Sequence, residues 1–232
     1  MKWCGLAAVA LGVATSVQAQ ESDWSVSVGA RAWHTQWTTF SYDINEQGSR
    51  VLIQVEADDK TVVVPLLSAR YGNFVASVSG YTSTGYRFTD GNRNTRSELD
   101  ANVGYLVLPT VAVTLGYKKV AQKGEYRYEP AGWVAGVSAT APLGGAFSLY
   151  GSLGLGRLKT PSSNDVRDVQ FDADYRLTEV GFAYGLAPGG MPKALTFTLG
   201  YRMQVLDSKD ALDGRDGRDL TQGLTLGVVA TF

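Results

Sequence analysis

The one histidine of this 232-residue sequence, His34, lies in the segment Trp33-His34-Thr35-Gln36-Trp37. A histidine can act as a general base, a proton shuttle or a metal ligand. Each role needs partners, since a base serves a nucleophile and zinc normally takes three or four ligands. No cysteine or second histidine accompanies His34. It reads as an interfacial residue among aromatics, and the chain is expected to be no enzyme, with no metal and no cofactor.

Two acidic stretches are the next candidates. Asp207, Asp210, Asp213, Asp216 and Asp219 recur along one run, a candidate for calcium ligation, but Lys209, Arg215 and Arg218 interleave with them. The spacing is not that of an EF-hand loop. The run reads as a solvated surface loop. Asp43, Glu46, Glu56, Asp58 and Asp59 mark another, which could serve as an adhesive surface.

A third set is dispersed: Arg31, Asp100, Lys118, Glu179 and Arg202. Their chemistry is ion pairing, or the gating of small polar solutes. Which of these applies depends on the elements that carry them.

Those elements alternate with a period of two. In the final segment Leu224, Leu226, Val228, Ala230 and Phe232 form one face, and Thr225, Gly227, Val229 and Thr231 the other. Such a period marks a strand, because a helix would scatter the apolar residues around its cylinder. Leu195 to Val205, Val180 to Leu186, Phe147 to Leu155, Trp133 to Ala139, Val111 to Tyr117, Leu99 to Val107 and Trp24 to Ala32 repeat the design. Segments from Val62 to Tyr71 and from Phe74 to Phe88 have a less clear phase, and Pro65 weakens the first.

Short turns fall near 71–73, 108–110, 142–145 and 187–192, whereas longer polar connections fall near 39–60, 89–96, 122–128, 159–170 and 207–219. The count is ten strands, with eight or twelve if 60–90 is misread. Short turns at one end and longer loops at the other are the layout of a closed antiparallel up-and-down transmembrane β-barrel. A soluble barrel would turn its large apolar residues inward and charge its outer face. Here the face opposite the large apolar residues is Gly, Ser, Thr and a few charges, suited to a polar interior. Trp24, Phe147 and Phe232, with Tyr71 and Phe74, fall near the short-turn end; Tyr117, Trp133 and Tyr201, with Tyr86 and Phe88, lie higher, as two aromatic girdles would.

Within this frame the dispersed charges acquire an order. Asp100 and Lys118 stand equally far from the turn that joins their strands, as do Glu179 and Arg202 from theirs. Each pair then joins opposite charges on neighbouring strands. With Arg31 they form a belt near mid-height on the inward face, read first as a structural network and second as a constriction.

Composition sets the remaining bounds. Lys and Arg number 21 against 22 Asp and Glu, a net charge of −1 that excludes the basic excess of a nucleic-acid protein. Lys2, the apolar run Gly5 to Val17 and the small residue Ala19 resemble a secretory signal peptide, so residues 1–19 are expected to be removed and 20–232 to form one barrel domain. Cys4, the single cysteine, would leave with it, so the exported barrel would hold together without disulfides.

The alternating segment Leu224, Leu226, Val228, Ala230 and Phe232, ending on an aromatic, resembles the terminal strand of small single-chain outer-membrane β-barrel proteins of Gram-negative bacteria. The likeness extends over the mature chain as architecture. It implies an outer-membrane location, contact with membrane lipid and lipopolysaccharide, and insertion by periplasmic chaperones and the barrel-assembly machinery, with Leu224 to Phe232 as the assembly signal. The local motifs of enzymes known among such barrels do not surround His34. The expected role is structural or in surface interaction, with a small-solute, porin-like channel as the alternative and the oligomeric state left open.

Overall fold

The computed structural model describes residues 24–212 and 215–232. The expected signal peptide lies outside the described residues. Twelve strands follow in chain order: β1 (Trp24–Ile44), β2 (Arg50–Glu56), β3 (Lys60–Tyr71), β4 (Phe74–Arg87), β5 (Arg93–Leu108), β6 (Val111–Lys123), β7 (Arg127–Tyr128), β8 (Ala131–Gly144), β9 (Phe147–Lys159), β10 (Ala173–Leu186), β11 (Ala194–Leu212) and β12 (Arg215–Thr231).

Ten of them close a barrel in the order β12-β11-β10-β9-β8-β6-β5-β4-β3-β1, with β1 pairing back to β12. This is the expected strand number. All seams are antiparallel, and the closing one runs from Ser27↔Thr231 to Ser41↔Gly217. Phe232 N–H donates to the Val26 carbonyl at 2.8 Å and Val26 N–H to the Phe232 carbonyl at 3.3 Å, so the first and last described segments meet at the short-turn end.

Alternation decides which face is which. Val26 and Val28 of β1, Leu153 and Leu155 of β9 and Leu224 and Leu226 of β12 are exposed, whereas Ser27, Ser152 and Thr225 beside them are buried. A wall that is apolar outside and small or charged inside is that of a barrel of the outer-membrane type. Its ten strands are 12 to 21 residues long, whereas about 9–11 residues suffice to cross a bilayer. The excess projects at the long-loop end.

That excess corrects several expected loops. Much of 207–219 is ladder, since β11 and β12 pair as far as Leu212↔Arg215. The stretch 39–60 continues β1 to Ile44 and returns as β2, from Thr38↔Glu56 to Ile44↔Arg50. Residues 93–96 begin β5, and 122–128 contain the end of β6 and the short β7. Polar composition signalled loops, but beyond the bilayer both faces of a strand meet water and polar residues extend a ladder freely. Among the described residues, only the connection between Lys159 and Ala173 is long and free of strands.

The uncertain phase of 74–88 also has a structural cause. The β4–β5 register shifts between Tyr81 and Thr84, and a bulge of this kind turns the following side chains to the other face. Tyr86 and Phe88 are therefore buried against Trp37 in the interior, which corrects their expected place in the outer girdle.

Candidate functional site

The register places Asp100 opposite Lys118 and Glu179 opposite Arg202. Around these pairs the inward charges gather into two clusters rather than one belt. In the first, Glu179 accepts from Arg31 Nη1 at 2.9 and 3.0 Å, from Arg202 Nη1 at 3.0 Å and from the Tyr150 hydroxyl at 3.2 Å. The second centres on Glu98, which accepts from Arg96 Nε at 2.8 Å, Lys118 Nζ at 2.5 Å and the Tyr81 hydroxyl at 3.1 Å. Lys118 Nζ also donates to Asp100 at 3.0 Å.

Arg96 and Glu98 are the members that sequence reasoning left out of the belt. Glu98 falls on the inward face by parity, two residues from Asp100, and that parity was the available signal. Arg96 was hidden in an expected loop. Three of the cations also lie over rings: Arg96 over Trp37 at 5.1 Å, Lys118 over Tyr175 at 5.6 Å and Arg202 over Trp33 at 5.4 Å. Desolvation strengthens such contacts.

The clusters sit between two unlike layers. Towards the short turns the interior is lined by Ser27, Ser77, Ser148, Thr196 and Thr231. Towards the long loops it holds two apolar clusters, Val120, Tyr128, Leu158, Tyr175, Leu177 and Leu206 in one and Trp37, Tyr86 and Phe88 in the other. The interior is thus mostly polar in the lower part and mixed above, where Thr35, Gln204, Ser208 and Thr221 are buried beside the apolar side chains. Inward glycines do not leave it open either: a Cβ on Gly181 or Gly200 would run into Tyr150, so both make room for the ring whose hydroxyl reaches Glu179.

Above the aromatic layer a cavity of about 380 Å³ opens among Trp37, Tyr128, Phe171, Leu206 and Asp219. Asp219 accepts from Thr39 at 2.8 Å and from Gln122 at 2.6 Å, so this acidic residue of the 207–219 run braces the mouth. His34 points outward, with Nδ1 3.1 Å from the Thr61 hydroxyl and Nε2 3.6 Å from Asp59. Among the described residues no group of His, Cys, Asp and Glu could hold a metal ion.

A larger cavity, about 930 Å³, opens in the wall between β3 and β4, in front of the buried cluster of Trp33, Val62, Val64 and Tyr81. The β3–β4 ladder runs from Tyr71↔Phe74 only to Leu66↔Ser79 and stops beneath Pro65, which has no N–H to donate. The seam closes again near the long loops, where Ala57 bridges Phe88 and Asp58 N–H donates to the Arg87 carbonyl at 2.8 Å. Asp58 Oδ1 accepts from Arg87 N–H at 2.8 Å and Oδ2 pairs with Lys60 at 2.7 Å. The Lys60 hydrogen bond first, then that from Arg87, holds the Asp58 carboxyl below its ordinary range.

The outward aromatics sit in two tiers. Trp24 packs on Tyr71 and Phe147 on Tyr184 near the short turns, and Tyr117 packs on Trp133 higher up; Tyr201 and Phe232 are exposed as well. Leu224, Leu226 and Val228 face outward along β12, with Ala230 half-buried on the same side.

No protein-family model matches the chain, and no curated protein matches it. Three solved structures are similar in fold. A Pseudomonas aeruginosa FadL homologue is 10% identical with a TM-score of 0.32, over 90% of this chain and 89% of its own. The P. putida toluene transporter TodX is 10% identical with a TM-score of 0.34, over the same shares. A deltaS2S3 mutant of TodX, described as a monoaromatic hydrocarbon channel, is 10% identical with a TM-score of 0.35, over 98% of each chain. At that identity and superposition, nothing about substrate passes from them to this chain.

Proposed function

We propose that the protein is an outer-membrane barrel with a closed axis, whose role is structural or in surface interaction. The observation that carries this reading is the mid-height barrier. Arg96, Glu98, Lys118, Glu179 and Arg202 are buried and paired in two clusters, and the buried side chains of Val120, Leu158 and Tyr175 pack together in the space above them. Moving such a barrier means separating buried charges, which costs several kcal/mol per ion at about the scale of real protein interiors.

The parts left for interaction are those that project past the bilayer. The β1–β2 hairpin carries Ile44, Val51, Leu52 and Ile53 exposed, and β2 pairs on one side only. Lipopolysaccharide and membrane lipid are the partners this surface and the apolar wall fit, and Leu224 to Phe232 is the segment offered to the assembly machinery. No catalytic role belongs to this reading. Planar-bilayer recording of the refolded protein tests it: no discrete conductance steps are expected, and reproducible single-channel steps would overturn it in favour of the small-solute channel.

A further inference from the structure

The β3–β4 seam differs from the other nine. Above Leu66↔Ser79, residues 60–65 of β3 pair only with β1 and residues 80–86 of β4 only with β5, while the remaining seams continue their ladders past this height. The facing strand edges border a cavity of about 930 Å³, at the upper end of the ~300–1,000 Å³ that ligand sites occupy. Its outer rim is Val28, Val63, Pro65, Leu67, Val78 and Leu99, which lie on the lipid-facing side of their strands. Its inner wall includes Ser79, Tyr81 and Glu98. Open strand edges are not stable against hydrocarbon, because their N–H and C=O groups find no partner there. Ser79 adds a second unmet group, since its hydroxyl is buried, lines the cavity and has no hydrogen-bond partner.

We propose that this window is a binding site, entered sideways from the bilayer, for an uncharged single-tailed amphiphile. The tail lies on the apolar rim and a hydroxyl or amide head bonds to Ser79 and the free strand edges. Charge at the site selects against other heads. A carboxylate or phosphate held at Ser79 would meet Glu98, whose partners Lys118 and Arg96 are already paired with it, and the rim cation Lys119 shares the Glu129 carboxylate with Lys123, at 3.3 and 2.9 Å. A cationic head gains little, because Glu98 already accepts from Arg96, Lys118 and Tyr81. The site rests on the membrane placement of the barrel but not on its closed axis, and it is read out without conductance.

The test uses a long-chain alcohol carrying a diazirine in its tail, added to phosphatidylcholine vesicles that hold the refolded protein, with adducts mapped by mass spectrometry after irradiation. Labelling of residues 62–67 and 78–83 is expected to exceed that of Leu153 and Leu226 about tenfold, the ratio that ~1.4 kcal/mol of preference gives, and to be competed by unlabelled alcohol. Even labelling around the wall would overturn the proposal. So would equal labelling of the window by a phosphatidylcholine bearing the diazirine in its acyl chain, which marks an annular lipid instead. Leu66→Trp, which narrows the window, should abolish the excess while the barrel keeps its heat-modifiable migration. If that variant does not fold, Ser79→Val should lower window labelling about fivefold through loss of one hydrogen bond; undiminished labelling in the variants that fold would overturn the proposal.

Discussion

Glu179 of β10 and Arg202 of β11 stand directly opposite across their seam and form an ion pair of 3.0 Å, with side chains 3% and 2% exposed. Arg31 reaches the same carboxylate from β1, two strands further round the barrel by way of β12. One carboxylate thus ties three strands together through the lumen.

Arg202→Ala should therefore destabilise the barrel by about 3 kcal/mol, the lower part of the range for breaking a buried pair, because Arg31 still holds Glu179. Urea unfolding in lipid vesicles, followed by loss of heat-modifiable migration, measures it. A variant as stable as the parent would show that the pair carries no weight.

Glu98→Gln should cost more, about 3–5 kcal/mol, since it leaves Arg96 and Lys118 buried with Asp100 as the remaining carboxylate of that cluster. Tyr81→Phe removes one neutral donor to Glu98 and should cost about 1 kcal/mol. The same unfolding assay ranks the two, and the reverse order would contradict the placement of Glu98 at the centre of its cluster.

Tryptophan fluorescence distinguishes the two sides of the wall. Trp24 and Trp133 are 60% and 64% exposed, whereas Trp33 and Trp37 are 1% and 2% exposed. Brominated lipids should quench variants that keep only Trp24 or Trp133, and leave variants with only Trp33 or Trp37 bright. Equal quenching of all four would contradict the inward turn of Trp33 and Trp37.

Asp58 adds a pH-dependent side-chain contact to the backbone bonds that close the seam above the β3–β4 opening. Its carboxyl is held below its ordinary 3.8 by the Lys60 hydrogen bond and then by that from Arg87. A lowered folded value means that the contact contributes fully above the unfolded value and is lost as pH falls through the folded one. A carbon NMR titration of the Asp58 side chain should show a midpoint under 3.8. Lys60→Met should raise that midpoint, and an unchanged one would remove Lys60 as the cause.

Much of this arrangement was legible in the residues. A period of two, with Leu and Val against Gly, Ser and Thr, gives the strands and their inward faces, and equal distance from a short turn gives the pairs Asp100 with Lys118 and Glu179 with Arg202. Both follow from local rules, because a hairpin with a short turn fixes its own register. Parity likewise turns Trp24, Tyr117, Trp133, Phe147 and Tyr201 outward.

Other features depended on strands far apart in the chain. Arg31 meets Glu179 across 148 residues, and nothing local to either residue encodes that approach. The bulge between Tyr81 and Thr84 reversed the facing of Tyr86 and Phe88, because one extra residue in a ladder shifts every side chain beyond it. The end of the β3–β4 ladder at Leu66↔Ser79 was marked in the sequence only by Pro65. The sequence alone determined the strands, their faces and the pairs joined by short turns, since each depends on residues close in the chain. Only the tertiary structure decided that the inward charges gather into two ion clusters and that the β3–β4 ladder ends early, because both depend on which strands closure of the barrel brings face to face.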